Sequence, residues 1–230
     1  LRSGTIDVKY MTAKEEDILT SSNLIQQGVV VDRLLESVIA NSEVKLNDML
    51  VGDKNALMIG TRILGYGKEY WTNITDPDTK EKVEHCVDLT TLKHKEVDSK
   101  LMENGNKFEF ELPNSKRVIE FKLLTHKDEK DFNEEMKSYE KAEELTGISM
   151  NLTTRLKYQI VSIDGDTNKK TINNFIDNEF LALDSRAFRA HYDKVNPDIE
   201  LKFDYTSQTG NVHKVDVPLG TEFFWPAARE

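Results

Sequence analysis

Three times along this chain a short run of alternating residues stops at a tight polar turn and comes back. Tyr70-Trp71-Thr72-Asn73-Ile74 reaches Asp76-Pro77-Asp78-Thr79, and residues 83–89 return. Residues 107–112 reach Pro113-Asn114-Ser115, and residues 117–124 return. Residues 199–205 reach Gln208-Thr209-Gly210, and residues 212–217 return. A period of two puts alternate side chains on one face of a strand. Asp, Asn, Pro and Gly favour the dihedrals of turns. The pattern therefore predicts three antiparallel hairpins.

The stretches between them read as helices. Ile6 to Tyr10 alternates and predicts an opening strand. Thr12-Ala13-Lys14-Glu15 then makes a capping box, in which the hydroxyl accepts from the third amide and the carboxylate reaches back. That helix fades near Thr20, and Gly28 interrupts the chain before a second, over residues 30–40. Its Val31, Leu34, Leu35 and Val38 share one face. Asp53 is placed to cap a third helix, which Gly65-Tyr66-Gly67 ends because glycine accepts a positive φ. Thr125 caps a charged helix over residues 128–145, closed by Gly147. Leu152, Leu156 and Ile160 sit four apart and predict another helix, broken at Gly165. Residues 172–192 are one long helix or two abutting ones, stopped before Pro197.

The fold class is α+β, several helices with β-hairpins. Four regions follow: 1–68, a strand and helices; 69–125, the β-hairpin region; 126–198, helical; and 199–230, a hairpin with a Phe-Phe-Trp-Pro tail. No linker rich in Gly, Pro or Ser separates them, so they read as one unit. The hairpins over residues 70–89 and 201–219 echo one another, each with an aromatic on its first strand.

Composition narrows the function. Of the 230 residues, 38% are hydrophobic and 31% charged, enough for a core under a well-solvated surface. A formal net charge of -10 repels phosphate backbones, so free nucleic acid is not an expected partner. Cys86 is the single cysteine, which excludes an internal disulfide and argues against a secreted, disulfide-stabilised module. No apolar run approaches the roughly 20 residues that span a bilayer, and no membrane partner is expected. Residues 1–8 lack the apolar centre of a signal peptide.

Catalytic patterns are weak. His85 adjoins Cys86, but neighbours on a strand point to opposite faces and do not form a thiolate–imidazolium pair. Cys86 reads as a small buried hydrophobe. His85, His94, His126, His191 and His213 have no compact metal spacing and read as surface or capping residues. Glu15, Glu16 and Asp17, and the group Asp128, Glu129, Asp131, Glu134 and Glu135, lie in or near first helical turns, where the dipole favours negative charge. Leu50-Val51-Gly52-Asp53-Lys54 lacks the spacing of a phosphate loop. The chain is expected not to be an enzyme, and no cofactor or metal is assigned.

Two aromatic groups read instead as contact surface: Tyr66, Tyr70 and Trp71, and Phe223, Phe224 and Trp225 before Pro226. Strand alternation does not bury four consecutive apolar residues on one face. The second group either plugs the chain's own core or docks on a partner.

Several stretches, taken in order, resemble the T4-type bacteriophage baseplate protein family. They are Met11-Thr12-Ala13-Lys14-Glu15-Glu16-Asp17-Ile18-Leu19-Thr20, Leu50-Val51-Gly52-Asp53-Lys54-Asn55 and Thr61-Arg62-Ile63-Leu64-Gly65-Tyr66-Gly67. Phe108-Glu109-Phe110-Glu111-Leu112-Pro113, Lys122-Leu123-Leu124-Thr125 and Phe223-Phe224-Trp225-Pro226 complete the set. The resemblance implies a virion protein of the contractile tail baseplate, in or near its central hub and spike, assembled in the host cytoplasm. It implies hub, spike or wedge proteins as partners, oligomeric association within the assembly, and no catalytic residue. It also implies two zinc knuckles in many relatives, C-P-x-C and C-x-x-C, where this chain has Asp76-Pro77-Asp78-Thr79 and Thr206-Ser207-Gln208-Thr209. The thiolates are missing here, so both hairpins are expected to be degenerate, metal-free knuckles. Alternatives are a transient hub assembly factor and, ranked last, a peptidoglycan hydrolase working through carboxylates such as Glu15 or Glu134.

Overall fold

Residues 5–95, 97, 102, 105–219 and 223–224 are described by a computed structural model. The expected opening strand shrinks to a single bridge. Val8 pairs with Ile39, and Lys9 N–H donates to Val38 C=O (2.8 Å). The neighbouring chain is the end of a helix and offers too little extended backbone for a ladder.

Helix α1 (Ala13–Leu19) starts at the Thr12 capping box, with the Glu15 carboxylate accepting from the Thr12 amide at 2.9 Å. A short helix α2 (Ser22–Gln26) follows; it carries no buried residue and left no apolar stripe to read. Gly28, at φ +69°, turns the chain into α3 (Val30–Val38). Leu34, Leu35 and Val38 are fully buried on one face, as their spacing predicts. Helix α4 (Val51–Tyr66) begins two residues before the expected cap. Its cap position is Leu50, held extended by a bridge to Thr125, and Asp53 lies in the first turn. Gly67 ends it at φ +82°.

The three hairpins form as expected. Strands β1 (Glu69–Thr75) and β2 (Lys82–Asp88) make one two-stranded sheet. Strands β3 (Phe108–Glu111) and β4 (Val118–Phe121) make the second hairpin. Helix α5 (His126–Thr146) rises from a second capping box at Thr125 and Asp128. Helix α6 (Asn151–Gln159) is shorter than its apolar spacing suggested. Ile160 leaves it to open β5 (Ile160–Ile163), which pairs antiparallel with β4. A β-branched run beside an open strand edge gains ladder hydrogen bonds by turning extended. The next helical stretch resolves into two: α7 (Lys169–Asn174) and α8 (Ala182–Val195), separated by a wide turn at Phe175–Glu179. Strands β6 (Lys202–Thr206) and β7 (Val212–Asp216) form the last hairpin. The architecture is α+β.

Three apolar clusters hold these elements. The first joins the β3–β4–β5 sheet to α6, α7 and α8 through Ile119, Phe121, Ile163, Phe175 and Phe188. The second joins the β1–β2 and β6–β7 ribbons to α3 and α4 through Leu34, Tyr70, Ile74, Phe203, Phe223 and Phe224. A smaller third lies around Leu35, Leu46 and Leu57. Among the described residues, no helix is long and apolar enough to cross a membrane.

Candidate functional site

The expected contact residues divide between the two faces of β1. Its burial alternates strictly, with Tyr70, Thr72 and Ile74 inward. The Tyr70 ring meets Phe223 edge-on at 5.0 Å, and Phe223 meets Phe224 edge-on at 5.0 Å. The Tyr70 hydroxyl donates to Pro218 C=O at 2.8 Å, which satisfies the one polar atom that burial would otherwise strand. Half-buried Tyr66 joins from the end of α4 through Arg62, whose guanidinium lies 5.3 Å from the Tyr66 ring and 5.8 Å from the Tyr70 ring. Burial pushes that guanidinium's pKa down, while the two rings and the carbonyls of Gly67 (3.0 Å) and Glu69 (3.3 Å) hold the charge. Tyr70, Phe223 and Phe224 are thus spent in the chain's own core. Trp71 points the other way and is 44% exposed. Trp225 lies outside the described residues.

His85 and Cys86 separate as strand geometry requires. His85 pairs with Thr72, stacks on Phe203 at 5.2 Å and meets Tyr205 edge-on; Cys86 sits opposite Trp71 and is half-buried rather than in the core.

Behind this face the tips of the two ribbons interlock. Asp76 is completely buried. Its Oδ1 accepts from the amides of Asp78 (2.8 Å) and Thr79 (3.1 Å), which tightens its own turn. Its Oδ2 accepts from the Tyr205 hydroxyl (3.0 Å) and the Gln208 amide (3.2 Å), and the Ser207 hydroxyl reaches Oδ1 at 2.9 Å. Asp78 extends the contact: the Thr209 hydroxyl and Asn211 Nδ2 (3.1 Å) donate to Oδ2, and His213 Nε2 lies 2.9 Å from Oδ1. Burial alone would push the Asp76 carboxyl up. The amides of Thr79, Asp78 and Gln208 and the Ser207 hydroxyl outweigh it and hold the group well below the usual carboxylate range. Thr209, Asn211 and His213 do the same for Asp78.

The two turns where the resemblance implies knuckle cysteines meet here, tip against tip. They do not suit zinc. Asp76 has both oxygens engaged, and threonine hydroxyls at positions 79, 206 and 209 are poor zinc ligands. Among the described residues no group of three or more His, Cys, Asp or Glu is arranged to hold a metal ion.

A second polar cluster had no sequence signal. His126 is buried, not a surface residue, because it closes on a charge that three helices share. Asp32 of α3 contacts Lys54 Nζ of α4 at 2.9 Å and His126 Nε2 of α5 at 2.9 Å. Burial would raise the Asp32 carboxyl, but His126 and Lys54 together hold it well below its ordinary value. Gly52 of the expected non-phosphate loop has a packing role: a Cβ there would collide with the Pro197 carbonyl. The carboxylates considered for hydrolysis have structural partners in several cases. Glu15 closes a capping box, Glu129 pairs with Arg155 (3.1 Å), and Glu135 accepts from Tyr139 (2.8 Å) and Tyr158 (2.9 Å).

Trp71 thus stands on the exposed face of β1, whose other face is packed in the core and whose tip is fastened by the buried Asp76. Residues 1–225 match the family model described as T4 bacteriophage base plate protein. The chain belongs to that family and is a phage baseplate protein. No curated protein and no solved structure matches it.

Proposed function

We propose that this chain is a structural or assembly component of the contractile tail baseplate, acting without catalysis through protein–protein contacts in or near the central hub. The observation that carries the contact reading is Trp71, a large exposed aromatic on a strand whose opposite face is fully packed. Aromatics at this kind of rigid site dominate interface energies. Trp71 is the contact residue, while Tyr70, Phe223 and Phe224 hold its strand in place and half-buried Tyr66 packs with Arg62 on the Tyr70 side. The structural employment of Glu15, Glu129 and Glu135 favours this reading over a carboxylate hydrolase.

The test is co-sedimentation of the purified chain with hub and spike subassemblies, alone and as Trp71→Ala. Association that weakens about tenfold or more in the variant supports the contact surface. A chain that stays monomeric beside these subassemblies overturns the function. Mass spectrometry of finished particles then separates a resident subunit from a transient assembly factor.

A further inference from the structure

Helix α5 and the turn after it bring together two surface features, exposed apolar side chains and unfavourable charge at a helix end. The first is apolar exposure. Within residues 145–152, Leu145 is 87% exposed, Ile148 68%, Met150 44% and Leu152 44%. None of the four belongs to the three apolar clusters. The second is charge placement. Glu143 and Glu144 lie in the last turn of α5, which holds no basic residue, while Glu140 and Lys141 are both exposed one turn earlier and offset one another. Carboxylates at a helix C-terminus oppose the macrodipole, whose negative end already points there. Gly147, at φ +68°, closes the helix and presents the following residues as a turn.

Both features become favourable in one setting. We infer that the α5–α6 tip is a docking knob, an apolar centre with an acidic rim, that seats in an apolar groove rimmed by lysine or arginine on a neighbouring baseplate subunit. Burying the four side chains recovers the hydrophobic term, and a basic rim neutralises both the glutamates and the helix end. The same negative charge opposes insertion into an anionic lipid surface. The inference rests on the baseplate reading for its choice of partner. It concerns a different surface from Trp71.

The experiment uses the full chain and baseplate subassemblies purified from particles that lack it. Binding is measured for wild type, for Leu145→Ser/Ile148→Ser/Leu152→Ser, and for Glu143→Lys/Glu144→Lys. These side chains are exposed or half-buried, and thermal melts confirm that the variants stay folded. The apolar triple variant is expected to weaken binding about tenfold or more. Charge reversal is expected to weaken it about fivefold at low salt, with the difference vanishing near 1 M salt. A photo-crosslinker at position 148 is expected to capture a partner peptide containing both apolar and basic residues. If wild type binds and the triple variant binds equally well, the knob is overturned and the baseplate reading stands. If wild type does not bind, both fall. Concentration-dependent self-association lost in the triple variant overturns the inference in favour of a second copy of this chain. So does a crosslink to an acidic peptide.

Discussion

The β3–β4–β5 sheet buries Ile119, Phe121 and Ile163 at 0%, 0% and 1% exposure against Phe188 of α8 and Phe175 of the turn before it. The β1–β2 and β6–β7 ribbons have only two strands each, and a lone two-stranded ribbon is marginal in water. They too share an apolar cluster, but their tips are fastened by Asp76 and its hydrogen-bond donors. Each region also clamps a hairpin turn with a buried aspartate. In the sheet region, Asp184 of α8 accepts from the amides of Asn114 (2.7 Å) and Ser115 (3.0 Å), tying a turn to a helix. In the ribbon pair, Asp76 ties one turn to another. The sheet region adds its clamp to a three-stranded sheet, whereas the two ribbons are separate sheets joined by their apolar cluster and by the Asp76 contact. The regions differ in what each clamp joins, while both carboxyls are held below the ordinary carboxylate range by the donors around them, so both clamps weaken in acid.

The largest effect belongs to the sheet core. Phe188 is fully buried and meets Phe121 edge-on at 5.1 Å. Phe188→Ala should cost about 3–5 kcal/mol in urea unfolding, with little change between pH 7 and pH 4. Next is Asp76→Asn, which swaps an acceptor for a donor among five donor groups. It should lower the melting temperature by less than Phe188→Ala, and the loss should reverse in acid. The Asp76 carboxyl is held below its ordinary value of 3.8, so its stabilisation is complete above that value and is lost as the pH falls through the lower folded-state value. Unfolding midpoints of wild type should therefore drop more steeply below about pH 4 than those of Asp76→Asn. Parallel slopes would remove the clasp from the account. Gly52→Ala, at the seam between the regions, should cost about 1–3 kcal/mol because the Pro197 carbonyl is backbone and cannot swing away. The smallest stability effect is Trp71→Ala, about 1 kcal/mol by thermal melt, since nearly half of the residue is already in water.

Much of this fold was legible because local signals agreed with one another. The Thr12 and Thr125 capping boxes, the Gly67 and Gly147 stops and all three hairpin turns are short-range devices written in a few residues. The α6 boundary was harder. Leu152, Leu156 and Ile160 keep helical spacing, yet Ile160 joins β5 because β4 offers an edge that sequence spacing does not display. The Asp32–Lys54–His126 cluster was invisible for a similar reason. Its members are far apart in the chain, and each alone resembles a solvated side chain. The aromatic groups were found, but alternation decided their fates. Tyr70 and Trp71 are neighbours in sequence and face opposite ways. The ribbon clasp was half legible: the two turns were recognised as counterparts, while the role of Asp76 as their common acceptor needed coordinates.

Asp76 and Ser207 stand 131 residues apart, and between them lies the whole of the sheet region. The loop that their contact closes is therefore long, and its closure entropy is met late. During synthesis the first ribbon emerges with Asp76 Oδ1 held by its own turn, while Oδ2 waits for Tyr205 and Gln208. A variant truncated before residue 199 should therefore leave the first ribbon without the Tyr205, Ser207 and Gln208 donors that meet its buried aspartate.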